Sequence, residues 1–399
     1  MALDLLLIVV ALATGLVLWA PRLRLMPTWR AMVTPLASII GSGFLILGPL
    51  LISAYGAWAP AVMAALCAVA WLFGMAVRAN IARIGDGPDA RPAPDRAIDA
   101  FASAVLALAY MISVAYYLNL FGAFAVSLTP WDTALAARCV TTAMLAVILL
   151  TGWTRGFGML ERMEYASVAL KLSIIAALLA GLALHFAGLA RDGALVVLAP
   201  EVAGTPALTL AMGLLVTVQG FETSRYLGRS YDAATRRRSM RWSQQVSALI
   251  YMAYILLMAF VFPRTALVFS ETAIVDMMAV VAPVLPVLLV AAALAAQFSA
   301  AVADTGGSGG LVAELGRGRL SPRQGYAMLT VVALVLTWAA NVFQIVSIAS
   351  RAFAAYYAIQ AALAARGAMR SGRRGAAAGY LCLTLAGLAI AVFGQPAEG

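Results

Sequence analysis

The sequence predicts an all-α fold: a polytopic helical membrane protein of about twelve transmembrane helices. Three observations carry that expectation. Of the 399 residues, 64% are hydrophobic, and the mean hydropathy is +0.94. Charged residues make up 11%, against roughly 25% in soluble proteins. Apolar runs of about 20 residues, long enough to cross a bilayer core, recur from one end of the chain to the other. A soluble domain is excluded on these grounds. The net charge of +10 does not point to nucleic acid, because the arginines fall in alternate loops as the positive-inside rule requires.

Taken in order, helices are expected over about 3–20, 31–54, 57–79, 98–128, 132–152, 157–187, 205–228, 238–262, 277–315, 323–342, 345–366 and 376–394. The first lacks a basic leader and a small-residue cleavage site, so it reads as a retained membrane helix and not a signal peptide. Arg22, Arg24 and Arg30 follow it. Arg78, Arg83, Arg91 and Arg96 follow the third helix, and Arg155 and Arg162 follow the fifth. Arginines 225–241 surround the loop after the seventh. Arg317, Arg319 and Arg323 follow the ninth, and Arg366–Arg374 the eleventh. These loops are assigned to the cytoplasm, which puts both termini outside a bacterial inner membrane. Gly85–Pro94 is a turn-rich connector. Pro200 and Pro206 mark a divide near the middle. The expected organisation is an extra helix and connector over 1–30, five helices over 31–187, an external link over 188–204, five more helices over 205–366, and a last helix over 367–399.

Cys67, Cys139 and Cys382 lie singly in apolar runs, and His185 is the one histidine. They have no metal-ligand or disulfide spacing. No cofactor is expected, and no catalytic cluster of His, Cys or paired acids is visible. The chain therefore does not read as an enzyme.

The second expected helix contains Gly41-Ser42-Gly43 near its middle, followed by Phe44 and by Gly48-Pro49. Glycine costs about 1 kcal/mol against alanine in a helix interior. Inside a membrane, broken backbone persists only where protein or a wet cavity satisfies it. The seventh helix is interrupted in the same manner at Gln219-Gly220-Phe221-Glu222. Five helices follow each opening, the first set starting inside and the second outside. Two such sets form an inverted repeat, and paired interruptions mark its binding site. Close helix packing is the other use of membrane glycines, but it does not account for the matching break at Gln219-Gly220.

At these residues the chain resembles the amino acid–polyamine–organocation transporter superfamily, which has the LeuT-type fold. Gly41-Ser42-Gly43-Phe44 looks like the family's break in its first core helix. Gly156, Glu161 and Lys171 look like its fifth, and Gly220-Phe221-Glu222 like its sixth. Ala313-Glu314-Leu315-Gly316-Arg317-Gly318-Arg319-Leu320-Ser321-Pro322 looks like a degraded form of the motif that ends its eighth. The match covers about 31–366 and leaves one extra helix at each end. The resemblance implies N–H groups at Gly41, Ser42 and Gly43 holding a carboxylate, and freed carbonyls at Gln219 and Gly220 taking an ammonium. A half-helix N-terminus, with about half a positive charge, suits the former. Phe221 would be a lid or wall, and Phe44 is a further substrate-binding candidate. Tyr110, Ser113 and Tyr117 share a face that either lines the chamber or packs as aromatic core.

Of the 27 Lys and Arg residues, Lys171 alone is lysine. It lies about 15–20 Å from the cytoplasmic helix end at 1.5 Å per residue, too deep to snorkel. Ionisable groups at such depth are functional candidates. Lysine can give up its proton when buried, and arginine cannot. In the resemblance this lysine takes the place of a coupling sodium ion. The expected function is secondary active transport of an amino acid or related small amine, zwitterionic or cationic, by proton coupling or exchange. A transporter-like ligand sensor is the alternative. Asp304, which departs from the family pattern, is either the ion-pair partner of Lys171 or part of a different cation site with the hydroxyls of Ser299, Thr305 and Ser308. Glu222 is either a proton carrier or the surface partner of Arg225, three residues on.

Overall fold

The computed structural model describes residues 2–41, 43–87, 90–154, 157–227, 230–266, 272–317 and 319–395, without the side chains of 157–163. Helix α1 (Ala2–Trp19) and the single turn α2 (Pro21–Arg24) lead into α3 (Pro27–Ile39) and α4 (Gly43–Tyr55), which form one interrupted rod. Then come α5 (Ala59–Ile84), α6 (Ala93–Val126), α7 (Ala134–Thr154) and α8 (Phe157–Arg191). The second interrupted rod is α9 (Gly204–Gly213), a 3-10 stretch Leu214–Val218, a break, and a second 3-10 stretch Phe221–Tyr226. It is followed by α10 (Ala233–Met258), the short α11 (Ala273–Val281), α12 (Leu285–Leu315), α13 (Pro322–Ala339), α14 (Val342–Arg370) and α15 (Arg374–Phe393). The two sets of five rods are thus α3/α4 to α8 and α9 to α14, with α1 and α15 as additions and α11 as a short insertion.

The expected helix 277–315 is in fact two. Ala282 is extended, with φ −159° and ψ 138°, because the ring of Pro283 disfavours helical geometry in the residue before it. Capping boxes start α13 at Ser321 with Gln324 and α14 at Asn341 with Gln344. Each satisfies two of the N–H groups that a helix start leaves bare.

The centre of the bundle is built by α3, α6, α10, α12 and α14: α6 packs on α12 and α14, and α3 packs on α10 and α12. The added helices lie on its flanks. The Tyr165 hydroxyl on α8 donates to the Leu18 carbonyl of α1 at 2.7 Å. Gly387 of α15 sits on α14, where an added Cβ would be 2.9 Å from that of Ala358. Their outer faces expose Leu5, Leu12, Leu16, Leu385 and Phe393, apolar side chains suited to lipid. Arg351 directs one guanidinium nitrogen to the Gly394 carbonyl at 3.4 Å.

One end of the bundle is tied by ion pairs to two buried carboxylates. Asp99 of α6 pairs with Arg225 from the second rod and with Arg91 at 2.7 Å, and accepts from Gln360 of α14 at 3.2 Å. Asp95, one turn earlier, takes Arg83 of α5 at 2.9 Å and Arg366 and Arg370 of α14 at 3.0 and 2.5 Å.

Candidate substrate site

Both rods lose their helix where the glycines stand. α3 ends at Ile39, α4 restarts at Gly43, and Gly41 lies between. Ser42 falls outside the described residues, as does Gly156, and the side chain of Glu161 is not described. In the second rod Gln219 is extended (φ −86°, ψ 177°) and Gly220 has φ +118°, a conformation that glycine adopts without a side-chain clash.

The two breaks interlock. A Cβ on Gly43 would stand 2.5 Å from Thr217 Cβ and 2.7 Å from Thr217 Cα. A Cβ on Gly220 would stand 2.5 Å from Ser38 Oγ and 2.7 Å from Ile39 N. Each glycine therefore lets its rod lie against the last residues before the break in the other. Tyr251 of α10 joins them: its hydroxyl is 2.9 Å from the Ile39 carbonyl and 2.7 Å from the Thr217 carbonyl. Gly41 backs onto α12, where an added Cβ would be 3.1 Å from that of Ala300.

Lys171 is fully buried, and its amine donates to the carbonyls of Ala37 (2.8 Å) and Ile40 (2.6 Å) and to Ser299 Oγ (3.1 Å). Those carbonyls belong to the turn where α3 gives out, so the lysine collects peptide groups that the break leaves bare. Asp304 is held from another side of the same turn. Ser38 donates to its Oδ1 at 3.2 Å, and Ser113 of α6 lies 2.5 Å from its Oδ2. No ion pair joins Lys171 to Asp304. Of the other hydroxyls, Thr305 bonds back to the Ala301 carbonyl at 2.6 Å and Ser308 to the Ala107 carbonyl at 3.4 Å, so Ser299 alone meets the lysine.

Glu222 is buried and accepts from the Gly220 N–H (3.0 Å) and from the hydroxyls of Tyr357 (2.6 Å) and Tyr110 (3.4 Å). Arg225 is turned away from it, to Asp99. Gln219 donates to Tyr117 and accepts from Tyr357, both at 3.3 Å. Phe221 stacks on Tyr357 with ring centres 5.1 Å apart, and Phe44 packs on Tyr254 at 4.5 Å. Tyr251, Tyr357 and Ser38 were not singled out from sequence. A tyrosine in mid-membrane needs a partner for its hydroxyl, but its spacing does not say which.

Two interrupted rods that meet backbone to backbone at the centre of two five-helix sets define a membrane transporter of LeuT-type architecture. A family model described as APC superfamily transporter matches residues 21–394. The chain belongs to that superfamily. A protein of Aquifex aeolicus (strain VF5), described as uncharacterized, is 40% identical over an alignment of 359 residues that covers 86% of this chain and 85% of that one. Among solved structures the chain is similar to Mhp1, a nucleobase-cation-symport-1 family transporter in a closed conformation with bromovinylhydantoin bound. The TM-score is 0.55 at 14% identity, over 92% of this chain and 90% of that one. It is also similar to a Na+-coupled sialic acid symporter in its substrate-bound outward-open state, with a TM-score of 0.55 at 10% identity over 100% and 98% of the two chains. At such identities the likeness carries the fold alone.

Proposed function

We propose that the chain is a secondary active transporter of an amino acid or related small amine in a bacterial inner membrane. It works by alternating access, driven by protons or by exchange and not by sodium. The observation that supports proton coupling is the seat of Lys171. Two carbonyls and a hydroxyl are the donor set of a hard cation, and here an ammonium holds them. Three N–H groups meet three acceptors. A neutral amine has one N–H fewer and leaves one acceptor of the α3 turn without a hydrogen. Loss of the proton therefore loosens the first break, and its return tightens it. On this reading Gly41, Ser42 and Gly43 meet the substrate carboxylate, the Gln219–Gly220 carbonyls meet its amine, and Phe44, Tyr110 and Phe221 line its path. Glu222 is a second group that can carry a proton.

The test uses Lys171→Met and Lys171→Arg in proteoliposomes with an imposed proton gradient. Arginine keeps the charge but does not release its proton at any working pH. Both variants are expected to lose gradient-driven accumulation. Full proton-driven uptake by either would overturn the assignment.

A further inference from the structure

We infer that Asp304, with Ser38 and Ser113, is a second cation seat that holds a proton and the ammonium group of a cationic amine substrate in turn. The inference rests on the amine-transporter reading and adds to it a residue that selects for positive charge.

The first ground is charge. Asp304 is fully buried in mid-α12, and among the described residues no basic side chain lies within ion-pair reach of it. A carboxyl at such depth is balanced by a cation or by a proton. The second ground is the ligand set. Two hydroxyls reach the carboxyl, Ser38 Oγ at 3.2 Å and Ser113 Oγ at 2.5 Å. A carboxylate has about four lone-pair sites, so acceptor capacity remains for an ammonium N–H or for a proton. The third ground is position. Ser38 precedes the first break and abuts Gly220 in the second, so the seat touches both rods. The fourth is Gln297. It lies on the same face of α12 seven residues earlier, roughly 10 Å along the axis at 1.5 Å per residue. It is fully buried, and among the described residues neither its amide oxygen nor its nitrogen has a partner. It can receive a second polar group of the same ligand.

The groups that face Asp304 are Tyr110 and Tyr117 from α6 and Glu222 from the 3-10 stretch. Tyr357 of α14 reaches the cluster through Glu222, and Lys171 of α8 holds the same α3 turn through Ala37 and Ile40. The exchange is balanced. The carboxyl O–H breaks, its proton leaves to water on the open side, and the substrate ammonium donates to the carboxylate in its place. One positive charge replaces another.

Binding is measured calorimetrically on the full-length protein in nanodiscs, with 1,5-diaminopentane, 5-amino-1-pentanol and leucine. Asp304→Asn is expected to weaken both amines by about tenfold or more and to leave leucine unchanged. In the wild type and in Glu222→Gln, amine affinity is expected to fall as pH is lowered, because the proton competes. In Asp304→Asn it is flat. Amine binding that survives Asp304→Asn overturns the seat and leaves the amine transporter standing. Binding of leucine alone, equal in both proteins, also overturns the seat and keeps the zwitterion reading. If no probe binds the wild type, both readings fall. Should Asp304→Asn not fold, the wild type and Glu222→Gln decide, and amine affinity that is flat across pH overturns the seat.

Discussion

One methyl group added at Gly220 would wedge the two broken rods apart. The site has φ +118°, and the new carbon would stand 2.5 Å from Ser38 Oγ and 2.7 Å from the Ile39 nitrogen. The serine oxygen can rotate, but the backbone nitrogen cannot. Holding a non-glycine residue in such a backbone region costs about 1–3 kcal/mol, and overpacking a tight contact costs about 1–3 kcal/mol more. The interlocked arrangement should therefore lose roughly 2–6 kcal/mol, and the lower bound alone is about a 30-fold change in population. Ser113, fully buried beside Asp304, is the reporter. With Cys67, Cys139 and Cys382 replaced, a cysteine at position 113 is shielded from membrane-impermeant thiol reagents in the parent. In Gly220→Ala it should react at least about 30-fold faster, and substrate uptake, measured with Ser113 in place because it belongs to the proposed seat, should be lost. Gly379 is the control, since an added Cβ there meets nothing within 4 Å. Gly379→Ala should be neutral or stabilise α15 by up to about 1 kcal/mol. Equal labelling rates and equal uptake in Gly220→Ala and the parent would refute the interlock.

Two further outcomes follow from the same contacts. Tyr251→Phe removes the hydroxyl shared by the Ile39 and Thr217 carbonyls, and a buried acceptor without a donor costs about 1–3 kcal/mol. Its thermal unfolding midpoint in detergent should fall, and an unchanged midpoint would mean that the bridge is not made. Asp99→Asn leaves Arg225, which is 6% exposed, without its carboxylate. A broken buried pair costs about 3–5 kcal/mol, so the denaturant midpoint should drop. A midpoint equal to the parent's would show that this end is not closed by that pair.

The positions of the breaks were legible in the sequence, and the side chains that serve them were not. Glycines in mid-membrane announce peptide groups without helical partners, which is why the sequence alone places the breaks at 41–43 and 219–220. Proline is a poorer guide. Pro35 and Pro49 sit inside α3 and α4, whereas Pro283 ends α11, so a proline in an apolar run does not by itself separate a kink from a stop. The depth of Lys171 was readable because it depends on chain length alone. Its partners were not, because Ala37 and Ile40 offer carbonyls, and every residue has a carbonyl. Local spacing suggested Arg225 for Glu222, yet each finds its charged or hydroxyl partner on a distant helix. The bare groups at the two breaks are gathered by Lys171 from α8, Tyr251 from α10 and Tyr357 from α14. On the proposed transport reading, each of these helices is thereby tied to a segment that rearranges when the chamber opens. A change at any one of them, a lost proton on Lys171 included, alters the stability of the closed break. That is the physical requirement for coupling an ion to the movement of a solute.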